Sequence, residues 1–210
     1  MRRRLAATFI TLTISASLVG CVSRVKYPSY YTLHLSPAAD PPMAGRIRGS
    51  VAVCEFRSPA YLREGAIVYR ATSEEVGFYN YHRWAVDPRE FLTNAIADRL
   101  RASGGFVAVK IYDGRPDVDF ILTGRLEKLE EVDYEGGVKV EVALSAQMTE
   151  LRSGKTVWAN AASETAEVNK RTVPSVVAEM SHAMDGAIQK LMASLAVSTT
   201  TSLQPRTVPP

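Results

Sequence analysis

Residues 138–148 read VKVEVALSAQM, with an apolar side chain at every second position from Val138 to Met148. A period of two is typical of a β-strand with one buried and one solvated face. Turn residues follow at 152–155, RSGK, and a second strand-like run occupies residues 156–168. The pattern therefore predicts a long antiparallel hairpin as the backbone of a sheet.

Shorter strand patterns precede this hairpin, and each is rich in β-branched or aromatic residues. They predict strands at residues 30–35, 50–56, 66–71, 76–84, 106–111 and 120–127. The charged run at residues 127–131, EKLEE, indicates a strand end and a solvated loop. The N-terminal half of the chain is thus expected to contribute several short strands to the same sheet.

Two amphipathic helices are predicted beside these strands. The first begins at Asp87 and Pro88, because proline is tolerated at the first helical position and an aspartate caps free amides. It ends at Gly104. The second follows Pro174, where apolar residues recur at helical spacing as far as Leu195.

Length and composition fit one globular domain. The chain has 210 residues, of which 46% are hydrophobic and 22% charged, an ordinary makeup for a folded domain. We expect a single α+β domain over residues 30–196, with a mixed, mostly antiparallel sheet. Residues 197–210 are rich in Ser, Thr and Pro and are expected to have no fixed structure.

The N-terminus has the layout of a signal peptide over residues 1–20, since three arginines precede the uncharged apolar run 5–19. A helix of that run would be ~22 Å long, too short for the ~30 Å hydrocarbon core of a bilayer. Residues 18–21, LVGC, resemble the bacterial lipobox, in which the cysteine is acylated and becomes the new N-terminus. We therefore predict that Cys21 is the lipid anchor and that residues 21–29 form a lipidated tether. An ordinary cysteine behind a secretory cleavage site and an uncleaved anchor are the open alternatives.

Removal of residues 1–20 has consequences for charge and for the second cysteine. These residues contain three basic and no acidic side chains, so the mature chain carries 22 of each. A chain of zero formal charge lacks the basic excess typical of nucleic-acid binding, and no nucleic-acid partner is predicted. Acylation of Cys21 leaves Cys54 without a disulfide partner, and Cys54 is expected to be a buried, inert thiol.

Motifs for catalysis and metal binding are missing from the sequence. The three histidines, His34, His82 and His182, lack the spacing of a metal site. The Gly-Gly pairs at 104–105 and 136–137 are not followed by the residues of a phosphate-binding loop. No serine lies in a nucleophile elbow, although triads are assembled in space. We predict no catalytic residue, no metal and no cofactor, and a protein that is not an enzyme.

Aromatic residues are concentrated in residues 59–84. This stretch contains Tyr61, Tyr69, Phe78, Tyr79, Tyr81 and Trp84. Tyrosine and tryptophan combine a large apolar surface with a polar tip, which suits half-buried strands and partner surfaces alike. Both interpretations of this stretch are open from the sequence.

A series of short motifs resembles the ABC-type transport auxiliary lipoproteins, a family that includes the lipoprotein of the paraquat-inducible intermembrane transport system. After the lipobox the motifs run in the order YYTL (30–33), PAYL (59–62), IVYR (67–70), HRWA (82–85), LTGRL (122–126) and SGKTVW (153–158). The resemblance covers residues 28–195. It departs at residues 79–81, YNY, where the family often has an acidic or aromatic approach to the tryptophan.

The resemblance implies a small sheet with two helices packed on one face. It also implies a non-catalytic periplasmic component of a lipid transport system, with ABC transporter subunits and an MCE-domain protein as partners. Such systems move phospholipid or other hydrophobic molecules between the inner and outer membranes. By analogy with the family, Val22 after Cys21 permits sorting to the outer membrane, with the inner membrane left open. A homo-oligomer is also left open.

The resulting hypothesis is that acylated Cys21 fixes the domain to the outer membrane while a nearby surface binds the MCE assembly. The expected partner-binding residues are Tyr61, Leu62, Tyr79, Tyr81 and Trp84. Two other functions are open: a carrier that holds lipid in a groove between helices and sheet, and a structural lipoprotein that holds peptidoglycan or an outer-membrane assembly.

Overall fold

Strands and helices occupy most of the chain between residues 26 and 202. The computed structural model describes residues 26–37, 47–115, 117–134 and 136–202. The strands are β1 (Ser29–Tyr31), β2 (Ile47–Val53), β3 (Ala66–Arg70), β4 (Val76–Trp84), β5 (Phe106–Ile111), β6 (Phe120–Val132), β7 (Lys139–Glu150) and β8 (Thr156–Glu167). The helices are α1 (Pro88–Ser103) and α2 (Val173–Ser202), and a 3₁₀ helix spans Ala60–Arg63.

The hairpin predicted from the alternating pattern is confirmed as β7 and β8. The two strands pair in antiparallel fashion, from Lys139 opposite Glu167 to Thr149 opposite Thr156. The apolar positions of β7 are buried, and its alternate polar positions lie on the more exposed face. The connecting turn contains Gly154 at φ 68°, a conformation that glycine adopts without strain.

Strand β6 is the centre of the sheet because it pairs with three other strands. β7 lies antiparallel along one edge. The other edge is shared, since β2 pairs in parallel with the first residues of β6 and β3 pairs in parallel with the last two, Glu131 and Val132. Residues 54–57 run beside β6 between these pairings, where the amide of Cys54 donates to the carbonyl of Leu122 over 2.9 Å.

The remaining strands extend the sheet on either side of this shared edge. β5 pairs in parallel with β2, β4 pairs antiparallel with β3, and β1 pairs in parallel with β4. The longest pairings, β6 with β7 and β7 with β8, are antiparallel. The predicted α+β fold with a mixed sheet is confirmed, and the described strands form one sheet.

Helix α1 begins and ends where the sequence predicts. Asp87 caps the helix by accepting a 2.8 Å hydrogen bond from the amide of Arg89, and Pro88 occupies the first turn. Gly104 ends the helix at φ 63°, and its amide donates to the carbonyl of Arg101. Local capping chemistry therefore sets both ends of α1.

The two helices pack on the same face of the sheet, as predicted. Helix α2 lies against β7 and β8, and α1 lies against β5 and β2. An ion pair between Arg99 of α1 and Asp185 of α2 joins them. The apolar stripe predicted for α2 is buried: Val176, Val177, Met180, Met184, Ile188, Leu191 and Leu195.

Strand β1 is shorter than the sequence predicts. It ends at Tyr31, whereas the pattern predicted a strand as far as residue 35. Beyond Tyr31 the chain leaves the sheet and crosses towards α2. Leu33 enters the core, and the amide of His34 donates to Ser181 Oγ over 3.1 Å.

Two other boundaries extend beyond the predictions. β6 continues to Val132, so the prediction of a solvated loop at residues 127–131 is wrong. This charged run forms a strand because the negative charge of the buried Glu130 is neutralised by an ion pair with an arginine on β3. Helix α2 continues to Ser202, so an unstructured tail beginning at residue 197 is wrong for residues 197–202. The rest of that predicted tail lies outside the described residues.

Candidate docking site

Aromatic rings of β1, β3 and β4 stack on the helix-facing side of the sheet. The ring centroids of Tyr69 and Tyr79 lie 5.1 Å apart, and those of Tyr79 and His82 lie 5.8 Å apart. His82 is also hydrogen-bonded through Nδ1 to the hydroxyl of Tyr31 over 2.9 Å. Mutual packing of this kind fixes each ring in one orientation.

Tyr79 is further held by Glu131 of β6. The Tyr79 hydroxyl donates to Glu131 Oε2 over 2.8 Å, and Glu131 is almost completely buried. Burial raises the pKa of Glu131 above its ordinary value, and nearby Asp133 raises this pKa further, whereas the hydrogen bond from Tyr79 and the charge of Arg171 lower it. Burial and the neighbouring Glu131 raise the pKa of Tyr79 as well.

A second cluster holds the 3₁₀ helix against β3 and β6. Arg70 Nε donates to Glu130 Oε1 over 2.7 Å, and the Glu130 side chain is fully buried. The Tyr61 hydroxyl lies 3.3 Å from the other Glu130 oxygen, and the Arg70 guanidinium carbon lies 5.8 Å from the centroid of the Tyr61 ring. Burial and the charge of Glu130 raise the pKa of Tyr61. Tyr61 is therefore positioned rigidly rather than left free in a loop.

A groove of about 460 Å³ lies beside Tyr61, between the 3₁₀ helix and β4. We call it the β4 groove. Arg83 of the groove donates from Nη2 to the carbonyl of Glu64 over 3.1 Å, which ties its two sides together. The lining residues are Tyr61, Glu64, Ala66, Phe78, Tyr79, Asn80 and Arg83.

The structure separates the five residues that the sequence suggested for partner binding. Leu62 and Trp84 are only 3% and 7% exposed and belong to the hydrophobic core. Tyr61 and Tyr79 are half-buried and line the β4 groove. Tyr81 is 41% exposed. The proposed lipid anchor, the cysteine at position 21, lies outside the described residues.

Five groove residues were not among those suggested by the sequence: Glu64, Ala66, Phe78, Asn80 and Arg83. Phe78 is exposed at the surface and lines the groove, together with Glu64 and Arg83. Phe78 belongs to the aromatic stretch 59–84, and that concentration of rings is the signal that could have found it. Nothing in the local sequence distinguishes the two charged residues from ordinary surface positions.

A second groove of about 750 Å³ lies beside the N-terminal part of β6. Its lining includes Arg57, Arg125, Gln147 and Asn160, together with Cys54. Cys54 is half-buried, so the prediction of a buried thiol is corrected. Partial burial raises the pKa of the Cys54 thiol, and the charge of Arg57 lowers it.

Other features bear on membrane and metal binding. No helix in the described ranges is both long enough and apolar enough to cross a bilayer. Among the same residues, no group of three His, Cys, Asp or Glu side chains is placed to hold a metal ion.

Residues 31–192 match the family model for the ABC-type transport auxiliary lipoprotein component. The chain belongs to this family. The match begins in β1 and ends in α2, and it confirms the family suggested by the short motifs. As a member of this family, the chain is an auxiliary lipoprotein of ABC-type transport, with a membrane-anchored place in the cell envelope. A comparison with curated proteins gives no match.

Solved structures show the same fold as this auxiliary lipoprotein. A crystal structure of a protein from Xanthomonas campestris is similar with a TM-score of 0.70 and 16% identity, covering 84% of this chain and 100% of that chain. A hypothetical protein from Chlamydia trachomatis has a TM-score of 0.52 and 8% identity, covering 74% of this chain and 99% of that chain. At these identities the similarity concerns the fold alone.

Proposed function

We propose that this auxiliary lipoprotein is anchored by acylated Cys21 to the periplasmic side of the outer membrane. There it docks an ABC transport assembly with an MCE-domain protein that moves lipid between the membranes, and it catalyses no reaction itself. The observation that carries the proposal is the family match over residues 31–192 in a chain whose residues 18–21 resemble a lipobox.

The β4 groove supports a docking role. It combines aromatic surface from Tyr61 and Phe78 with the opposite charges of Glu64 and Arg83. Aromatic residues and arginine are the side chains that most often dominate protein interfaces. The buried ion pair beneath Tyr61 fixes its ring in advance, so binding need not order it.

Packing of the core favours docking over lipid carriage. A carrier of the kind considered above would hold lipid between the helices and the sheet. In the structure, Leu126 of β6 and Met180 and Met184 of α2 are fully buried there, in one continuous hydrophobic core. Both grooves described above lie outside that interface, and the larger one is lined mainly by polar side chains.

Photo-crosslinking in cells tests the docking proposal. A photoreactive amino acid replaces Phe78 in the β4 groove, and the matched control replaces Val107, which is exposed on β5 at the other side of the sheet. We expect adducts with an MCE-domain protein or an ABC transporter subunit from position 78 and not from position 107. Adducts with lipid alone would favour a carrier, and adducts with peptidoglycan-associated proteins would favour a structural lipoprotein.

Membrane fractionation tests the anchor separately. Replacement of Cys21 by alanine removes the thiol that acylation requires. We expect Cys21→Ala protein in the soluble periplasmic fraction and wild-type protein with the outer membrane. Wild-type protein in the inner-membrane fraction would contradict outer-membrane sorting, and Cys21→Ala protein that stays membrane-bound would contradict the lipid anchor.

A further inference from the structure

Three exposed residues form a strip at the β1 side of the sheet, which we call the aromatic edge: Lys26, Tyr30 and Tyr81. Tyr30 and Tyr81 are 64% and 41% exposed. Lys26 Nζ lies 4.4 Å from the centroid of the Tyr81 ring, and this cation–π contact holds the start of the described chain against β4. Grouped exposed aromatic side chains beside a cation mark an interaction surface.

The pairing of β1 with β4 determines which way this edge faces. Tyr31 lies opposite Trp84, and both pack with the core. Tyr30 lies opposite Arg83, so strand alternation places these two side chains on the other face of the sheet. Arg83 also lines the β4 groove, and the aromatic edge is therefore continuous with that groove.

The length of chain before Lys26 limits what the aromatic edge can meet. Cys21 lies five residues before Lys26, and five residues span at most about 18 Å. The acyl chains of a lipidated Cys21 lie in the bilayer, so Lys26 stays within this distance of the lipid headgroups. The contact between Lys26 and Tyr81 extends the same restriction to β4.

The chemistry of the edge matches the headgroup region of a bilayer. Tyrosine is enriched at membrane–water interfaces, where the ring lies among the headgroups and the hydroxyl reaches water. Lysine and arginine are attracted to anionic phospholipids. Lys26 and Arg83 supply these cations on the side of the sheet that carries Tyr30.

We propose that the aromatic edge rests on the surface of an anionic phospholipid bilayer and gives the domain one fixed orientation on the membrane. The proposal rests on the acylation of Cys21 in the proposed function. In this orientation the β4 groove opens beside the headgroups, so a transport partner would meet it at the membrane surface.

Site-specific fluorescence of the acylated full-length protein tests this orientation. The protein is reconstituted into vesicles of phosphatidylethanolamine and phosphatidylglycerol, in a Cys54→Ala background. A nitrobenzoxadiazole label is attached at Tyr30→Cys, Ser29→Cys or Val107→Cys. Ser29 is the matched control, because it has almost the same chain distance from Cys21 but lies on the Tyr31 side of β1. Val107 is the control on β5.

We expect the label at position 30 to gain severalfold in emission on reconstitution and to be quenched by doxyl-labelled lipids. The labels at positions 29 and 107 are expected to stay in water. An equal response at positions 29 and 30 would reflect proximity to the anchor alone and would overturn the orientation. A label at position 30 that stays in water, or is shielded only when a partner protein is added, would overturn it as well.

Vesicle flotation separates failure of this inference from failure of the anchor. Wild-type protein that floats with the vesicles, with Cys21→Ala protein left behind, confirms the anchor before the labels are read. Wild-type protein that does not float would contradict the lipid anchor, and it would also contradict the orientation, which depends on that anchor. Floating protein with a solvated label at position 30 would contradict the orientation alone.

Discussion

Tyr79 donates a hydrogen bond of 2.8 Å to Glu131, a carboxylate that is almost completely buried. Tyr79 lies on β4 and Glu131 on β6, so the bond spans the intervening strand β3. Burial raises the pKa of Glu131 above its ordinary value. The folded protein therefore binds the proton of this carboxyl more tightly than the unfolded chain does.

Replacing Glu131 with glutamine is expected to change how stability depends on pH. A raised pKa contributes stability that is fully present below the ordinary pKa and is lost as the pH rises through the folded pKa. Glu131→Gln removes this titration, so its free energy of unfolding should fall less than that of the wild type as the pH rises above the ordinary carboxyl pKa of about 4.3. Urea unfolding at several pH values measures the difference.

A second variant tests the role of the phenol in the same titration. Tyr79→Phe removes the hydrogen bond that lowers the pKa of Glu131. We expect it to lose more stability than the wild type as the pH rises. Identical pH profiles for the wild type and both variants would show that Glu131 does not titrate differently in the folded state.

Gly124 is predicted to reject any side chain. A Cβ at Gly124 would overlap the ring of Phe56, which is fully buried. We expect Gly124→Ala to lower the free energy of unfolding by about 1–3 kcal/mol through overpacking. Gly137→Ala is the matched control, because its Cβ would meet only a Glu167 oxygen at 3.7 Å. Chemical denaturation compares them, and equal stability of the two variants would contradict this account.

The ion pair between Arg99 and Asp185 is predicted to affect the stability of the fold mainly when one of the two side chains is removed. Both side chains are largely buried. Asp185→Ala leaves the Arg99 charge without this carboxylate and should cost about 3–5 kcal/mol of stability. The double variant Arg99→Met with Asp185→Leu should recover most of this loss, because well-packed apolar side chains often replace a buried ion pair.

The exposed pair of Arg101 and Asp98 is the control for that measurement. These side chains form an ion pair one helical turn apart on the surface of α1. We expect no measurable change in the unfolding midpoint for Asp98→Ala, since exposed ion pairs contribute little. A loss as large as that of Asp185→Ala would argue against burial as the cause.

Removal of the Trp84 side chain is predicted to lower stability, whereas removal of the Phe78 side chain is predicted to weaken partner binding. Trp84→Ala empties part of the core and should cost about 3–5 kcal/mol of stability. Phe78→Ala should leave the fold intact and weaken capture of the transport partner, because Phe78 is exposed beside the β4 groove. Thermal unfolding and pull-down from envelope extracts measure the two effects. Unchanged capture by folded Phe78→Ala protein would place the docking surface elsewhere.

Features with a local cause could be predicted from the sequence. The ends of α1 follow from Asp87, Pro88 and Gly104, and the hairpin of β7 and β8 follows from strict alternation. The end of β6 could not be predicted, because Glu130 is buried through pairing with Arg70, which lies far away in sequence. The parallel pairings of β6 with β2 and β3 likewise depend on contacts that no local pattern records.

In the candidate site, too, some features follow from the local sequence and others depend on contacts between distant residues. Residue type alone could not tell that Trp84 is in the core while Tyr81 lies at the surface, since both amphipathic rings suit either place. The face of β4 to which each ring points depends on irregular pairing with β3 between residues 78 and 83. A shift of this kind interrupts the alternation of side chains between the two faces, so the face of one ring cannot be inferred from the face of the next.

The shared edge of β6 also sets an order of assembly. β6, β7, β8 and α2 are consecutive in the chain and pack on one another, whereas β2 and β3 are made long before the strand they pair with. Non-local parallel pairing is slow compared with local contacts. As the chain emerges from the export channel N-terminus first, the edges of β2 and β3 that pair with β6 therefore stay open until residue 132 has emerged. A pause between β5 and β6 would leave the nascent chain most exposed to aggregation, which makes this interval the natural place for a chaperone to act.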